Sequence, residues 1–128
     1  MLKNILLKKT FESGQTLFKE GDAGTEAYLV RSGYVAISKV DGSKVVELAT
    51  RGPGEIIGEM ALIDDKPRSA SVIAKTKVEA EVITRADLKN MLASAPEPLV
   101  TILHQLLVRL RDANDLAASF AADSEDDA

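Results

Sequence analysis

Gly58-Glu59-Met60-Ala61-Leu62-Ile63-Asp64-Asp65-Lys66-Pro67-Arg68-Ser69-Ala70-Ser71-Val72 is the stretch on which the chain is organised. It opens with a glycine and a carboxylate, runs through one short apolar turn and breaks at a charged loop closed by proline. An arginine and small residues then lead into a strand. The pattern returns a guanidinium toward a carboxylate, with small residues and backbone amides between them. Arginine recognises phosphate or carboxylate through a planar fork of donors. The first amides of a helical turn lack intrahelical acceptors and favour negative charge. A carboxylate accepts hydrogen bonds from sugar hydroxyls, as the acidic residue of dinucleotide folds does from ribose. The ligand chemistry that fits all three is a sugar phosphate.

Outward from this stretch, the chain divides by punctuation. All eight glycines fall between Gly14 and Gly58, separating short runs rich in β-branched or aromatic residues. Such spacing predicts short antiparallel strands joined by tight turns. Leu17–Glu20, Ala27–Arg31, Tyr34–Val40 and Lys44–Ala49 are expected strands before the cassette, and Ala70–Ala74 and Val78–Ile83 after it. Asp41-Gly42 marks the hairpin between the third and fourth. Met1–Lys9 reads either as the end of a helix or as a disordered lead. From Arg85 the period becomes helical. Thr84 is the expected N-cap of a helix over about 86–92, with Asp87 in its first turn. Pro96 and Pro98 then mark the start of a second helix. Its apolar residues Leu99, Leu103, Leu106, Leu110, Ala113, Ala117 and Phe120 form a heptad seam. Over 99–120 that helix would span roughly 33 Å.

At 128 residues the chain has room for one domain with its own core, and its 45% apolar and 28% charged content is ordinary for a globular protein. A net charge of −4 argues against a nucleic-acid surface. No stretch approaches membrane-spanning length, and no signal peptide is legible. With no cysteine, the composition suits a reducing cytoplasm, the expected location. His104 is the sole histidine, so a cupin-type metal site or a catalytic triad has no partners. Asp64 and Asp65 could form a carboxylate dyad but read more simply as a solvated turn. No metal, cofactor or catalytic residue is expected.

The cassette resembles the phosphate-binding cassette of the cyclic nucleotide-binding domain family. The resemblance extends to Phe11–Phe18 and to Gly21-Asp22 … Tyr28–Val35. It implies an α+β fold: an eight-stranded, jelly-roll-like β-roll over about 10–84, with a short helix in the cassette, C-terminal helices over about 86–120 and an acidic tail or linker at 121–128. It implies that Arg68 holds a cyclic phosphate and Glu59 accepts from the ribose 2′-hydroxyl. Gly58 leaves room for the sugar, while Met60, Ala61, Ser69 and Ala70 supply amides or, at Ser69, a hydroxyl. Ile37, Leu48 and Ile57 would wall the sugar and base. Arg109 and Asn114 fall where the long helix covers the base in the family, although Ala113 loses one polar contact there. In the family, serine after the arginine goes with cyclic AMP and threonine with cyclic GMP. Ser69 thus favours cyclic AMP, with cyclic GMP as the alternative.

The function implied is a non-catalytic sensor that signals by moving its C-terminal helix. Its apolar stripe would either pack the helix on its own domain alone or also form a homodimer along 99–120. The sensor would act through a partner protein or an effector beyond Ala128, without binding DNA or membrane itself. The competing readings are a nucleotide-free dimerisation scaffold of the same fold, which would be expected to lack Glu59 or Arg68, and an enzyme built on the roll.

Overall fold

The computed structural model describes the backbone of residues 6–126 and, within the last helix, side chains as far as Ala113 other than that of Arg111. Among the described residues eight strands occur: β1 (Leu7–Phe11), β2 (Thr16–Phe18), β3 (Glu26–Ser32), β4 (Val35–Asp41), β5 (Lys44–Arg51), β6 (Ile56–Ile57), β7 (Ser71–Ala74) and β8 (Val78–Thr84). They form two four-stranded sheets, ordered β1-β8-β3-β6 and β2-β7-β4-β5, in which every pairing is antiparallel. This is the eight-stranded roll expected from the sequence.

Alternation along the strands explains which residues turn inward. On β8, Val78, Ala80 and Val82 are buried in alternation, with Ile83 buried beside them; on β3, Ala27, Tyr28 and Val30 are buried. Tyr28, Val30, Val78, Ala80 and Val82 make one hydrophobic core with Phe11, Val35, Ile57, Val72 and Ala74. Phe11 meets Tyr28 edge to face with centroids 5.7 Å apart, a favoured aromatic arrangement. The Asp41-Gly42 hairpin forms as expected: Asp41 pairs with Lys44, and Gly42 takes φ +65°.

Two strands depart from the sequence reading. Leu7–Phe11, part of which fell in the segment read as helix or lead, is strand β1 against β8, from Leu7↔Val82 to Phe11↔Val78. Only its last residue is buried, so no alternating apolar signal marks it. Residues 1–5 of that segment lie outside the described residues. The other strand is β6, too short at two residues to show a period.

By contacts the chain divides into residues 1–91 and 92–128. The first unit holds the roll and most of α1 (Arg85–Ala93). Thr84 and Asp87 cap α1 reciprocally: the Thr84 amide donates to Asp87 Oδ2 at 2.9 Å and the Asp87 amide to Thr84 Oγ1 at 3.1 Å. The second unit contains α2 (Glu97–Asp126), on which Leu99, Ile102, Leu106 and Leu110 are all exposed. Side chains of the acidic 121–128 segment lie outside the described residues.

Candidate functional site

The cassette residues are placed by a left-handed glycine and by the loop between β2 and β3. Gly58 follows β6 with φ +75° and starts a single 3₁₀ turn, Glu59–Leu62. A side chain at that φ would be strained. Space is short as well: a β-carbon on Gly58 would stand 2.6 Å from Arg68 Nη1 and 3.2 Å from the Phe18 ring. Gly58 therefore touches Arg68, and Glu59, the next residue, extends exposed into solvent. Ala61 is buried beneath the turn, and its amide donates to Gly58 O at 3.2 Å. Met60 is half-buried.

Arg68 is fixed through its backbone and its side chain. Its amide donates to Asp22 O and its carbonyl accepts from the Gly21 amide, both at 2.8 Å. The residue is only 8% exposed. Nη2 donates to Glu26 O at 2.7 Å and Nη1 to Gly58 O at 3.3 Å. The guanidinium carbon sits 4.0 Å from the centroid of Phe18, a cation–π contact. Nε is buried without an acceptor, and among the described residues no carboxylate pairs with the guanidinium. Of five N–H donors, two are engaged by these carbonyls.

A buried cation with unmet donors is costly unless an anion completes it. The neighbouring peptide groups are donors of the same kind. Among the described residues the Ser69 and Ala70 amides donate to no protein group. Ser69 is exposed and Ala70 half-buried.

Around this centre, Tyr28 stacks on Phe18 with centroids 6.2 Å apart, and its hydroxyl donates to Glu26 Oε1 at 3.0 Å. Burial, then that hydrogen bond, push the Tyr28 phenol up to about 12. On the other side of the cassette, Arg85 at the start of α1 donates from Nε to Ala61 O at 2.9 Å. It also bonds Asp64 O and pairs with Asp65 Oδ1 at 2.9 Å. Asp64 and Asp65 are thus drawn into a loop clamp.

The expected apolar wall divides. Ile57 is part of the core, opposite Tyr28. Ile37 is half-buried against the same core. Leu48 is 56% exposed and occupies a β-bulge: Ile37 pairs with Ala49 and Ser38 with Glu47, leaving Leu48 as the extra residue. Arg109 is exposed on α2, and the side chain of Asn114 lies outside the described residues.

Four residues that contact the cassette had no assigned role in the sequence reading: Phe18, Gly24, Glu26 and Arg85. Gly24, without a left-handed backbone, approaches the guanidinium so closely that a β-carbon would stand 2.5 Å from Nη2. Glu26 contributes its carbonyl, a group every residue carries, so nothing in its identity announces the contact. Among the described residues no group of three or more His, Cys, Asp or Glu side chains could hold a metal ion. No helix among them is long and apolar enough to cross a membrane.

Comparison with known proteins places the chain in a family. Residues 8–95 match the family model described as the cyclic nucleotide-binding domain. The chain is 34% identical over 108 residues to the cyclic AMP receptor protein of Thermus thermophilus, covering 84% of this chain and 50% of that one. It is 37% identical over 91 residues to the cAMP-dependent protein kinase regulatory subunit of Yarrowia lipolytica, covering 71% of this chain and 24% of that one. The solved structure of the EAL enzyme Bd1971 in its half-site-occupied form superposes with a TM-score of 0.82 at 35% identity, over 86% of this chain and 99% of that chain. The chain thus spans about half the length of the bacterial receptor and about a quarter of the kinase subunit.

Proposed function

Since the chain belongs to the cyclic nucleotide-binding domain family, we propose that it is a non-catalytic sensor whose ligand is cyclic AMP. Arg68 binds the cyclic phosphate and Glu59 accepts from the ribose 2′-hydroxyl. One observation carries the reading: a buried guanidinium beside Gly58-Glu59, with donors unmet and no carboxylate partner among the described residues. A cyclic phosphodiester supplies one negative charge and oxygens placed for a charge-assisted contact. The Ser69 and Ala70 amides add donors on the strand side. Of the two amides expected from the 3₁₀ turn, that of Ala61 is already given to Gly58 O, and that of Met60 is the one assigned to the ligand. Of the expected apolar wall, Ile37 and Leu48 are left to meet the sugar and base, Ile57 being part of the core.

Cyclic AMP is preferred to cyclic GMP on the identity of Ser69, and both nucleotides belong in the test. In the family the base is met from the long helix, and Arg109 and Asn114 are the residues of this chain that fall at those positions. Signalling follows when bound and free states differ in where α2 packs, each state having its own affinity for the ligand. The exposed Leu99, Ile102, Leu106 and Leu110 suit α2 for pairing with a second copy. The setting is a reducing cytoplasm, and the output passes to a partner protein or a further domain.

The test is isothermal titration of the purified protein with cyclic AMP and cyclic GMP, with Arg68→Ala as control. Micromolar or tighter cyclic AMP binding that vanishes in the variant supports the sensor. Tighter cyclic GMP binding overturns the ligand assignment. No heat from folded, nucleotide-free protein overturns the sensor in favour of the scaffold.

A further inference from the structure

From the contacts beneath Arg68 we infer that Phe18 is a positioning residue for cyclic nucleotide binding: its ring orients the guanidinium and spaces it from the Gly58-Glu59 turn. The inference rests on the ligand reading above and extends it to a side chain that would not touch the nucleotide.

The ring meets both halves of the cassette. The guanidinium carbon of Arg68 lies 4.0 Å from its centroid, and a β-carbon on Gly58 would be 3.2 Å from its Cε2. Both anchors, the arginine and the residue preceding Glu59, therefore rest on one aromatic side chain. Phe18 is itself held from below. It stacks on Tyr28, which meets Phe11 edge to face, and both of those residues are buried in the core. Laterally, Phe18 pairs with Val72 on β7, the strand that Arg68 leads into, across a register shift between Thr16 and Phe18. A bulge of this kind re-aims a side chain without ending the strand.

Two carbonyl acceptors alone leave a guanidinium free to tilt about them. A ring face beneath fixes its plane as well, and with it the direction of the unused N–H groups. Holding those donors before the ligand arrives removes an ordering cost from binding. The effect concerns the phosphate, which both purine nucleotides share, so it should not alter the choice of base.

The experiment compares wild-type protein, Phe18→Leu and Phe18→Tyr by titration with cyclic AMP and cyclic GMP, by thermal unfolding, and by NMR of the Arg68 Nε–H group. In the wild type the Nε–H resonance should be displaced by the ring current. Phe18→Leu should stay folded, lose that displacement and bind both nucleotides about tenfold more weakly, with their ratio unchanged. Phe18→Tyr, which keeps the ring face, should retain the displacement and the affinity. Folded Phe18→Leu with wild-type affinity overturns the positioning role while leaving the sensor intact. An undisplaced Nε–H signal in the wild type overturns it even if Phe18→Leu does not fold. No binding by the wild type overturns the ligand reading, and the role with it.

Discussion

Gly24 and Arg68 approach so closely that one added carbon on the glycine would overlap the guanidinium, standing 2.3 Å from Nε. Gly24 is absent from the left-handed glycines, so alanine would be excluded by Arg68 and not by its own backbone. Gly24→Ala should therefore displace the arginine with little general unfolding. The expected result is at least a tenfold loss of cyclic AMP affinity, about 1.4 kcal/mol, with a much smaller change in melting temperature. Calorimetry beside thermal unfolding separates the two.

Replacing Arg68 itself should divide stability from binding. In the absence of ligand its charge is buried and Nε has no acceptor. Methionine keeps an unbranched chain over Phe18 and removes that burden. Arg68→Met should melt at or a few degrees above wild type without ligand. It should also lose the stabilisation that ligand confers, about 2.7 kcal/mol at a hundredfold excess over Kd. A melt with and without cyclic AMP reads both, and a marked loss of stability in the free variant would contradict the account.

Glu59 is exposed and carries no structural duty comparable to that of Arg68. Glu59→Ala should leave stability within about 0.5 kcal/mol. Affinity for cyclic AMP should fall by about tenfold or more, as for the loss of a hydrogen bond to a charged group. 2′-Deoxy cyclic AMP supplies the control: it should bind the wild type weakly and show little further loss with the variant.

Tyr28 predicts an alkaline dependence. Its phenol is raised to about 12 in the folded protein, by burial first and the Glu26 hydrogen bond second, against about 10 in an unfolded chain. Between those values the folded state holds more protons, so the contribution of Tyr28 to stability is complete below about pH 10 and lost as pH rises toward 12. Tyr28→Phe should be less stable than wild type at pH 9, and the gap should narrow by pH 11. Urea unfolding at the two pH values gives the comparison.

Arg85 ties the cassette loop to the first residue of α1 through Ala61 O, Asp64 O and Asp65. Asp65 is almost fully exposed, so its ion pair contributes little. Arg85→Ala should speed amide hydrogen exchange in residues 61–66, whereas Asp65→Asn should barely change it. Equal effects from both variants would assign the clamp to the ion pair instead of the carbonyl contacts.

Most of the roll was legible because its signals are local. Asp41-Gly42 names its hairpin, Thr84 and Asp87 name a helix start, and the short apolar runs of β3 and β8 stand out between turn residues. The cassette was legible for the same reason, since Gly58, Glu59 and Arg68 lie within eleven residues. β1 was obscure because four of its five residues face solvent and two are lysines, leaving Phe11 alone to report burial. The surroundings of Arg68 were hidden for a different reason. Phe18, Gly24 and Glu26 arrive by closure of the roll, more than forty residues before the arginine, and one of them contributes only a carbonyl. Leu48 was expected in the wall from its type, but its place in a bulge follows from a pairing shift that no single strand displays.

The register of β1 against β8 has a temporal consequence. Leu7 pairs with Val82 and Phe11 with Val78, and Phe11 supports the aromatic pair on which Arg68 rests. On a ribosome, β1 must wait for about seventy further residues before its partner strand exists, and such long-range pairing is slow to form. A nascent chain interrupted before β8 would carry Glu59 and Arg68 in its sequence yet lack the closed sheet that seats them. Ligand recognition is therefore gained at the final closure of the roll, so cyclic nucleotide can reward only chains that have completed it.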